Sequence, residues 1–222
     1  FLNNKGEKMS KSVGNVVDPF ALIDEYGLDP VRYFFMRDVP FGQDGSYNHE
    51  AIVNRTNADL ANGLGNLAQR SLSMVAKNCE GKVPEYAVLA PEDEALIEAT
   101  RPALQMARQA MDAQQIHKAL EAIFNVVSEG DRYVDTQAPW ALRKTDPERM
   151  KAVLYTVAET VRRIALMTAA FMPDASAKLL DLLAVAETDR NFAAFETAIK
   201  PGTELPKPEG VFPRYVDKQP EA

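Results

Sequence analysis

The most constraining feature of this sequence is a set of mostly apolar positions three and four residues apart, repeated in four segments after residue 48. The four sets are Leu60, Leu64, Leu67, Ser71 and Met74; Leu96, Ala99, Ala103, Met106 and Ala110; Ile116, Leu120, Ile123 and Val127; and Leu154, Val157, Val161, Ile164, Thr168 and Phe171. Such spacing places each set on one side of an α-helix that must pack against a partner. Turn signals at 81–91, 112–114, 139–147 and Pro173 separate the segments, so the pattern predicts an antiparallel helical bundle.

The chain before the bundle has a different pattern. Asp18-Pro19 and Asp29-Pro30 each place a capping side chain before a proline, which predicts short helices near 19–26 and 30–37. The glycine- and proline-rich stretch 39–47 indicates an extended connection with a short strand, and the segment up to about Gly14 shows no period and is predicted to be a loop.

The end of the chain is rich in proline after Lys200, which predicts an extended tail lying on the bundle or in solvent. The fold class is therefore mainly α: a helical bundle preceded by a small segment of loop, strand and helices. We divide the chain into three parts: the segment of loop, strand and short helices at 1–47, the helical bundle at 48–200 and the proline-rich tail at 201–222.

Composition excludes several classes of protein. The 222 residues are 46% hydrophobic and contain no apolar run of about 18 residues, so we expect no membrane span. The single Cys79 cannot form an internal disulfide and no basic-then-apolar leader opens the sequence, which favours the cytoplasm. The net charge of −7 argues against indiscriminate nucleic-acid binding, so any contact with a polyanion must be local.

A short motif near the start carries the strongest chemical signal. Lys8-Met9-Ser10-Lys11-Ser12 combines two lysines and two hydroxyls between Gly6 and Gly14. Ammonium groups and backbone donors on a flexible loop suit a polyphosphate, because they are most useful where negative charge grows on a leaving group. The alternative is a solvated surface loop.

A second candidate lies on the first long helix. Asn66 and Arg70 are one turn apart, about 40° around the helix axis, beside the buried stripe. An amide and a guanidinium in this arrangement can read the edge of a nucleobase, although a solvated polar helix face is the alternative. Gly63 and Gly65 disfavour a helix, which indicates either close approach of another backbone or flexibility.

The third candidate is the segment 131–140, in which Pro139 breaks a helix just before the only tryptophan, Trp140. An indole at the end of a bundle can stack an unpaired base. The alternative is a tryptophan that belongs to the core.

These motifs carry a family resemblance. The intact Lys-Met-Ser-Lys-Ser motif, followed by Val13-Gly14-Asn15, resembles the second signature of the class I aminoacyl-tRNA synthetases. With Asn-Leu-Ala-x-Arg and Ala-Pro-Trp, the chain from Phe1 to about Phe171 resembles the methionyl-tRNA synthetase family. The resemblance implies an ATP-dependent ligase that attaches methionine to its tRNA.

The resemblance also implies roles for individual residues. Lys11 binds ATP and stabilises the departing pyrophosphate, with Lys8 and Ser10 in the same catalytic set. At the tRNA site Asn66, Arg70 and Trp140 contact the anticodon bases, chiefly the first cytosine, while Pro139 positions them. The implied partners are methionine tRNA, ATP with Mg²⁺ and methionine, and the implied state is a monomer.

One departure from the family concerns activity. The first signature, of the His-Ile-Gly-His type, is absent, since the only histidines are His49 and His117. We therefore expect a C-terminal part that cannot form methionyl adenylate alone, lacks any zinc-bearing insertion and holds no metal site. The alternatives are a non-catalytic helical tRNA-binding or protein-interaction module with a relict loop, or another class I synthetase of related specificity.

Overall fold

A computed structural model describes residues 2–4, 7–12 and 14–216, with side chains for 9–12 and 14–216. Several residues used above, namely Phe1, Gly6, Val13 and the end of the tail at 217–222, lie outside the described residues. The expectation of a loop up to Gly14 was wrong in part, because two short strands form there: β1 (Leu2–Asn4) and β2 (Glu7–Lys8). The short strand expected within 39–47 is confirmed as β3 (Gly45–Tyr47). They pair in the order β2-β1-β3, with β1 antiparallel to β2 and parallel to β3. Strands of two or three residues are too short to show a period in the sequence.

Helices make up most of the described chain. They are α1 (Pro19–Tyr26), α2 (Leu28–Asp38), α3 (His49–Arg55), a π-helical segment (Thr56–Gly65), α4 (Asn66–Asn78), α5 (Pro91–Asp112), α6 (Ile116–Gln137), α7 (Pro139–Thr145), α8 (Pro147–Thr168) and α9 (Pro173–Leu182). The helix from His49 to Asn78 is unbroken through its π-helical segment.

The predicted helix starts are confirmed at α1 and wrong at α2. Asp18 caps α1 by accepting a hydrogen bond from the Phe20 N–H at 2.9 Å. Helix α2 begins before Asp29, which therefore lies in its first turn. The Asp29 carboxylate is buried and instead accepts a hydrogen bond from the Ala175 N–H at the start of α9. The Asp29 side chain thus binds a distant backbone amide and does not cap its own helix.

The core confirms the helical bundle and centres on α8. Helices α4, α5, α6, α7 and α9 all pack against it, and nearly every residue from Met150 to Thr168 is buried. Most residues of the predicted stripes are buried, whereas Met106 is 49% exposed. The stripe residues that are only partly buried are Met74, Ala99, Ala110 and Ile116. Besides Leu96 and Ala103 of the stripe, helix α5 buries Thr100 and Ala107. Thr100 can be buried because its hydroxyl donates to the Ile97 carbonyl and accepts from Arg163.

The tail lies on the bundle as far as it is described. Leu205 donates its N–H to the Gly81 carbonyl, Phe212 is buried, and the Tyr215 N–H donates to Asn57 Oδ1 at 2.8 Å. A Cβ atom on Gly65 would lie 2.8 Å from the Leu60 carbonyl oxygen and 3.3 Å from Phe212 Cβ, so close approach explains this glycine. Among the residues that the structure describes, no helix combines the length and the apolarity that a bilayer crossing requires.

Candidate nucleotide and nucleic-acid binding sites

The lysine loop is a closed turn held by its own backbone. The Gly14 N–H donates to the carbonyls of Ser10 at 3.1 Å and Lys11 at 3.3 Å, and the Ser10 N–H donates to Asn15 Oδ1 at 2.8 Å. Gly14 adopts φ 72°, a conformation that glycine reaches without steric cost. Asn15, which had no assigned role in the sequence analysis, thus closes the loop with its side chain.

The turn presents its polar groups to solvent. Lys11 and Ser12 are exposed, and the Ser10 and Ser12 hydroxyl oxygens lie 3.1 Å apart. The Lys11 ammonium forms no ion pair within the described part of the chain, so it is available to an anion. Lys8 ends β2 and leads directly into the turn, but its side chain lies outside what is described. The geometry suits contact with a polyphosphate, since a cation and two hydroxyls project from one turn.

The loop is tied to the bundle through α1 and α2. Tyr26 at the end of α1 contacts α3, where its hydroxyl lies 2.6 Å from His49 Nδ1. Arg32 on α2 donates to the carbonyls of Ala170 and Phe171 just after α8. The Tyr33 ring packs against Phe124 of α6, with centroids 4.8 Å apart. Helix α2 therefore connects the loop-bearing segment to the middle of the bundle.

The second site brings together residues that are 70 positions apart in sequence. The guanidinium carbon of Arg70 on α4 lies 5.3 Å from the ring centroid of Trp140 on α7. Trp140 is 47% exposed, so the alternative of a core tryptophan was wrong. Asn66 lies one helical turn before Arg70, and its carboxamide makes no hydrogen bond to another described residue. An indole and a guanidinium thus lie together in a partly exposed region, with Asn66 one helical turn away, and we call these three residues the Arg70–Trp140 cluster (Asn66, Arg70 and Trp140).

A sharp bend places the indole. Helix α6 ends at Gln137, Ala138 adopts the left-handed conformation at φ 45° and ψ 58°, and the buried Pro139 begins α7. Non-glycine residues seldom adopt this conformation, so the surrounding structure must hold it. Pro139 fixes the direction of α7 and therefore the position of the indole that follows.

A buried polar network holds the residue before the bend. Arg149 donates to Gln137 Oε1 at 2.8 Å and to Asp93 Oδ1 at 2.7 Å, and the Tyr133 hydroxyl also donates to Asp93. Burial alone would raise the pKa of Asp93, but the donors of Arg149 and Tyr133 outweigh it and lower the pKa. The ionised Asp93 therefore links α5, α6 and α8 next to Ala138.

Two carboxylates near Arg70 partly offset the positive charge of the cluster. Arg70 lies 3.4 Å from Asp135 Oδ1, and its charge also acts on Asp131. Burial raises the pKa of Asp131 to about 6, assisted by the charge of Asp135 and opposed by that of Arg70. Because acidic groups disfavour a phosphate, the cluster suits the edge of a base better than a backbone anion. Asp131 and Asp135 are four residues apart on α6, and this spacing was the signal that sequence reasoning missed.

The helix that carries Arg70 begins against α1, the helix that follows the lysine loop. His49 contacts α1, whereas Arg70 lies 21 residues further along the helix, or roughly 30 Å at the α-helical rise. The structure thus groups the predicted residues into two separate sets, one at the lysine loop and one at the Arg70–Trp140 cluster.

Two family models match consecutive parts of the chain. The family model for class I tRNA synthetases (M) matches residues 1–72, and the model for the anticodon binding domain of methionyl tRNA ligase matches residues 83–222. The methionine–tRNA ligase of Mesorhizobium japonicum is 66% identical over 220 residues, covering 98% of this chain and 43% of the relative. That of Brucella suis is 62% identical over 98% of this chain and 42% of its own length.

Solved structures show the same similarity. Mycobacterium tuberculosis methionyl-tRNA synthetase in complex with methionyl-adenylate superposes with a TM-score of 0.92 at 52% identity, covering 96% of this chain and 43% of that one. Its apo form gives a TM-score of 0.91 at 48% identity. The chain spans less than half the length of the relatives that it matches.

Proposed function

This chain belongs to the methionyl-tRNA synthetase family, and from that membership we propose that it supplies two binding functions to an ATP-dependent ligase that attaches methionine to its tRNA. The lysine loop acts on ATP, and the Arg70–Trp140 cluster reads the anticodon. The observation that carries the proposal is the guanidinium of Arg70 over the half-exposed indole of Trp140. The complete enzyme acts as a cytoplasmic monomer, and the 222-residue chain alone does not form methionyl adenylate.

At the loop, Lys11 supplies the positive charge. When methionine attacks the α-phosphate of ATP, negative charge grows on the leaving pyrophosphate, and an exposed ammonium on a closable turn stabilises that charge. The Ser10 hydroxyl adds a donor beside it, and Lys8 is proposed to act with them. Mg²⁺ is expected to accompany ATP, but no trio of acidic, histidine or cysteine side chains among the described residues is placed to hold a metal ion, so we assign no ligand.

At the cluster, the indole stacks on a base, and Arg70 and Asn66 form hydrogen bonds with it. The exposed indole offers a face on which an unpaired base can stack. Arg70 can donate to the O2 and N3 acceptors of cytosine, while the Asn66 oxygen can accept from its exocyclic amine. Pro139 positions the indole through the bend at Ala138. The nearby Asp131 and Asp135 hold Arg70 without saturating it, because an exposed ion pair at 3.4 Å is weak.

The anticodon role predicts that Trp140→Ala in the complete enzyme weakens binding of methionine tRNA by about 1 to 3 kcal/mol, the usual loss of one stacked base. Affinity is measured for methionine tRNA and for transcripts with a changed first anticodon base. The matched control is Arg108→Ala, which disrupts a second arginine–aromatic pair, since Arg108 lies 5.0 Å from the Phe192 ring centroid on another surface.

The loss of affinity across the different tRNAs shows whether Trp140 reads the anticodon. The variant should lose discrimination between the transcripts, whereas Arg108→Ala should keep it. An equal loss for tRNAs of every anticodon would make Trp140 a structural residue and remove the basis for the methionine assignment.

The ATP role predicts that Lys11→Ala slows methionine-dependent ATP–pyrophosphate exchange about a hundredfold in the complete enzyme, because a contact that strengthens in the transition state is worth about 3 kcal/mol. The KM for ATP should change less, and tRNA affinity should stay nearly the same. Lys77→Ala, at an exposed lysine of α4, is the control. An unchanged exchange rate would favour the alternative of a tRNA-binding or protein-interaction module whose loop is relict.

A further inference from the structure

The two ends of the segment that carries Trp140 are joined by one side chain. Gln137 ends α6, Arg149 lies in the first turn of α8, and the Arg149 guanidinium donates to Gln137 Oε1 at 2.8 Å. The Asp146 side chain caps α8 by accepting the Arg149 N–H at 3.0 Å. The segment 138–148, which contains the whole of α7, is therefore closed at its two ends by Arg149.

Arg149 is itself held by a carboxylate that the core fixes in place. Its Nη1 donates to Asp93 Oδ2, and its Nη2 donates to Asp93 Oδ1 at 2.7 Å. Asp93 is fully buried and also accepts from the Ala90 N–H and the Tyr133 hydroxyl. A guanidinium paired with both oxygens of a carboxylate has a fixed orientation. The remaining donor of Nη2, which points to Gln137, is fixed as well.

The bend at Ala138 needs a restraint of this kind. Ala138 has φ 45° and ψ 58°, which a residue with a Cβ atom adopts only when its surroundings hold it there. If the end of α6 were free, Ala138 could relax to a right-handed or extended conformation. Either change would turn α7, because Pro139 follows Ala138 directly and begins that helix.

The indole itself has few other restraints. It is 47% exposed, and the Arg70 guanidinium carbon lies 5.3 Å from its ring centroid. Among the residues that the structure describes, none accepts a hydrogen bond from the indole N–H. The position of Trp140 therefore follows the position of α7.

We infer that Arg149 is a positioning residue for the Trp140 indole. Anchored on Asp93, it holds the end of α6 through Gln137 and so fixes the bend and the direction of α7. The buried pair with Asp93 would stabilise the bundle even without Gln137, so the third contact is the one that bears on the indole. The consequence for tRNA rests on the proposed function, because the place of the indole matters to affinity only if Trp140 stacks an anticodon base.

Gln137→Met tests the contact with little disturbance of the fold. Methionine has a similar length and helix propensity, removes the acceptor and leaves the Arg149–Asp93 pair in place. In the complete enzyme the variant should bind methionine tRNA about fivefold more weakly, the low end of what one stacked base contributes. Discrimination against transcripts with a changed first anticodon base should fall. Gln105→Met, the same change at an exposed glutamine of α5, is the control and should alter neither property.

The position of the indole is measured by fluorine NMR of the complete enzyme labelled with fluorotryptophan, with Trp140→Phe to assign the signal. Without tRNA, Gln137→Met should move the Trp140 signal towards its position in the unfolded protein, because the ring then samples other orientations. Methionine-dependent ATP–pyrophosphate exchange uses no tRNA and should keep the rate of the unmodified enzyme. General damage to the fold would lower that rate as well.

Arg149→Lys tests the same contact from its other end. Lysine keeps a positive charge opposite the buried Asp93, but its ammonium lacks the planar fork that reaches a carboxylate and an amide together. The variant should weaken tRNA binding and shift the Trp140 signal in the same direction as Gln137→Met. The double variant should bind methionine tRNA no more weakly than Arg149→Lys alone, since both substitutions remove the same hydrogen bond.

Two results would overturn the inference. One is an unchanged Trp140 signal in Gln137→Met and Arg149→Lys, and the other is a loss of tRNA affinity in the double variant equal to the sum of the single losses. If Arg149→Lys folds poorly, the signal in Gln137→Met decides alone. A shifted signal with undiminished discrimination would support the positioning of the indole and contradict the proposed anticodon role instead, so the two failures are distinguishable.

Discussion

Asp131, beside the Arg70–Trp140 cluster, shows how burial changes the pKa of a single residue. Its carboxyl is partly buried on α6, and its pKa is raised to about 6 from a usual value of 3.8. Above pH 6 the folded protein holds a charge that burial penalises, whereas below pH 3.8 the group is neutral in both states. Its contribution to stability is therefore fully present below pH 3.8 and is lost as pH rises through about 6.

This direction of the pH dependence can be tested by substituting Asp131. Asp131→Asn should stabilise the protein at pH 8 by about 1 kcal/mol. This is less than the full pKa shift would give, because Asp131 is partly exposed and the substitution also removes its attraction to Arg70. At pH 3.5 the stability should match that of the unmodified protein. Denaturant unfolding at both pH values measures this, with exposed Glu129→Gln on the same helix as the control. A gain of the same size at both pH values would contradict the raised pKa.

At the scale of elements, α8 differs most from what its sequence indicates. The apolar stripe from Leu154 to Phe171 predicted one buried face, yet Glu159, Arg162 and Arg163 are also nearly inaccessible. The Glu159 carboxylate accepts from both arginines, and Arg162 donates to the carbonyls of Ala194 and Phe195. Local periodicity could not reveal this, because the cover comes from a segment more than 30 residues away.

The buried triad on α8 predicts a large loss of stability from a small change. Glu159→Gln leaves the side-chain shape but removes the charge that compensates two buried guanidinium groups, so unfolding should become easier by about 3 to 5 kcal/mol. Denaturant unfolding compares it with Glu148→Gln, which breaks an exposed ion pair with Lys151 on the same helix and should cost under about 1 kcal/mol. Similar costs for the two variants would mean that Glu159 is not needed to balance its arginines.

Other elements follow the same division between local and distant causes. Helix α1 was predictable because Asp18 and Pro19 fix its start locally. Helix α2 was not fully predictable, since Asp29 serves the start of α9 instead of its own helix. The left-handed conformation of Ala138 also had no signal beyond the following proline, because a network centred on Asp93 holds that bend.

For the whole molecule, sequence reasoning found the members of both proposed sites but not their surroundings. Asn66 and Arg70 were paired by helical geometry alone, whereas the contact of Arg70 with Trp140 depends on how α4 and α7 each pack against α8. The tail was predicted to be extended, and its described part, up to Val216, forms no helix. Where it lies depends on Gly65, whose missing side chain leaves room for Phe212.

Phe212 therefore carries a prediction about how the molecule holds together. Its ring is buried in the main core although it belongs to the extended tail, so Phe212→Ala should lower the free energy of unfolding by about 3 kcal/mol. Tail residues on either side contact Lys178 and Asn57, and their backbone amides should exchange faster in the variant. Phe192→Ala, at a largely exposed ring, should cost under about 1 kcal/mol in the same denaturant experiment. If both variants unfold alike, the tail contacts the bundle without stabilising it.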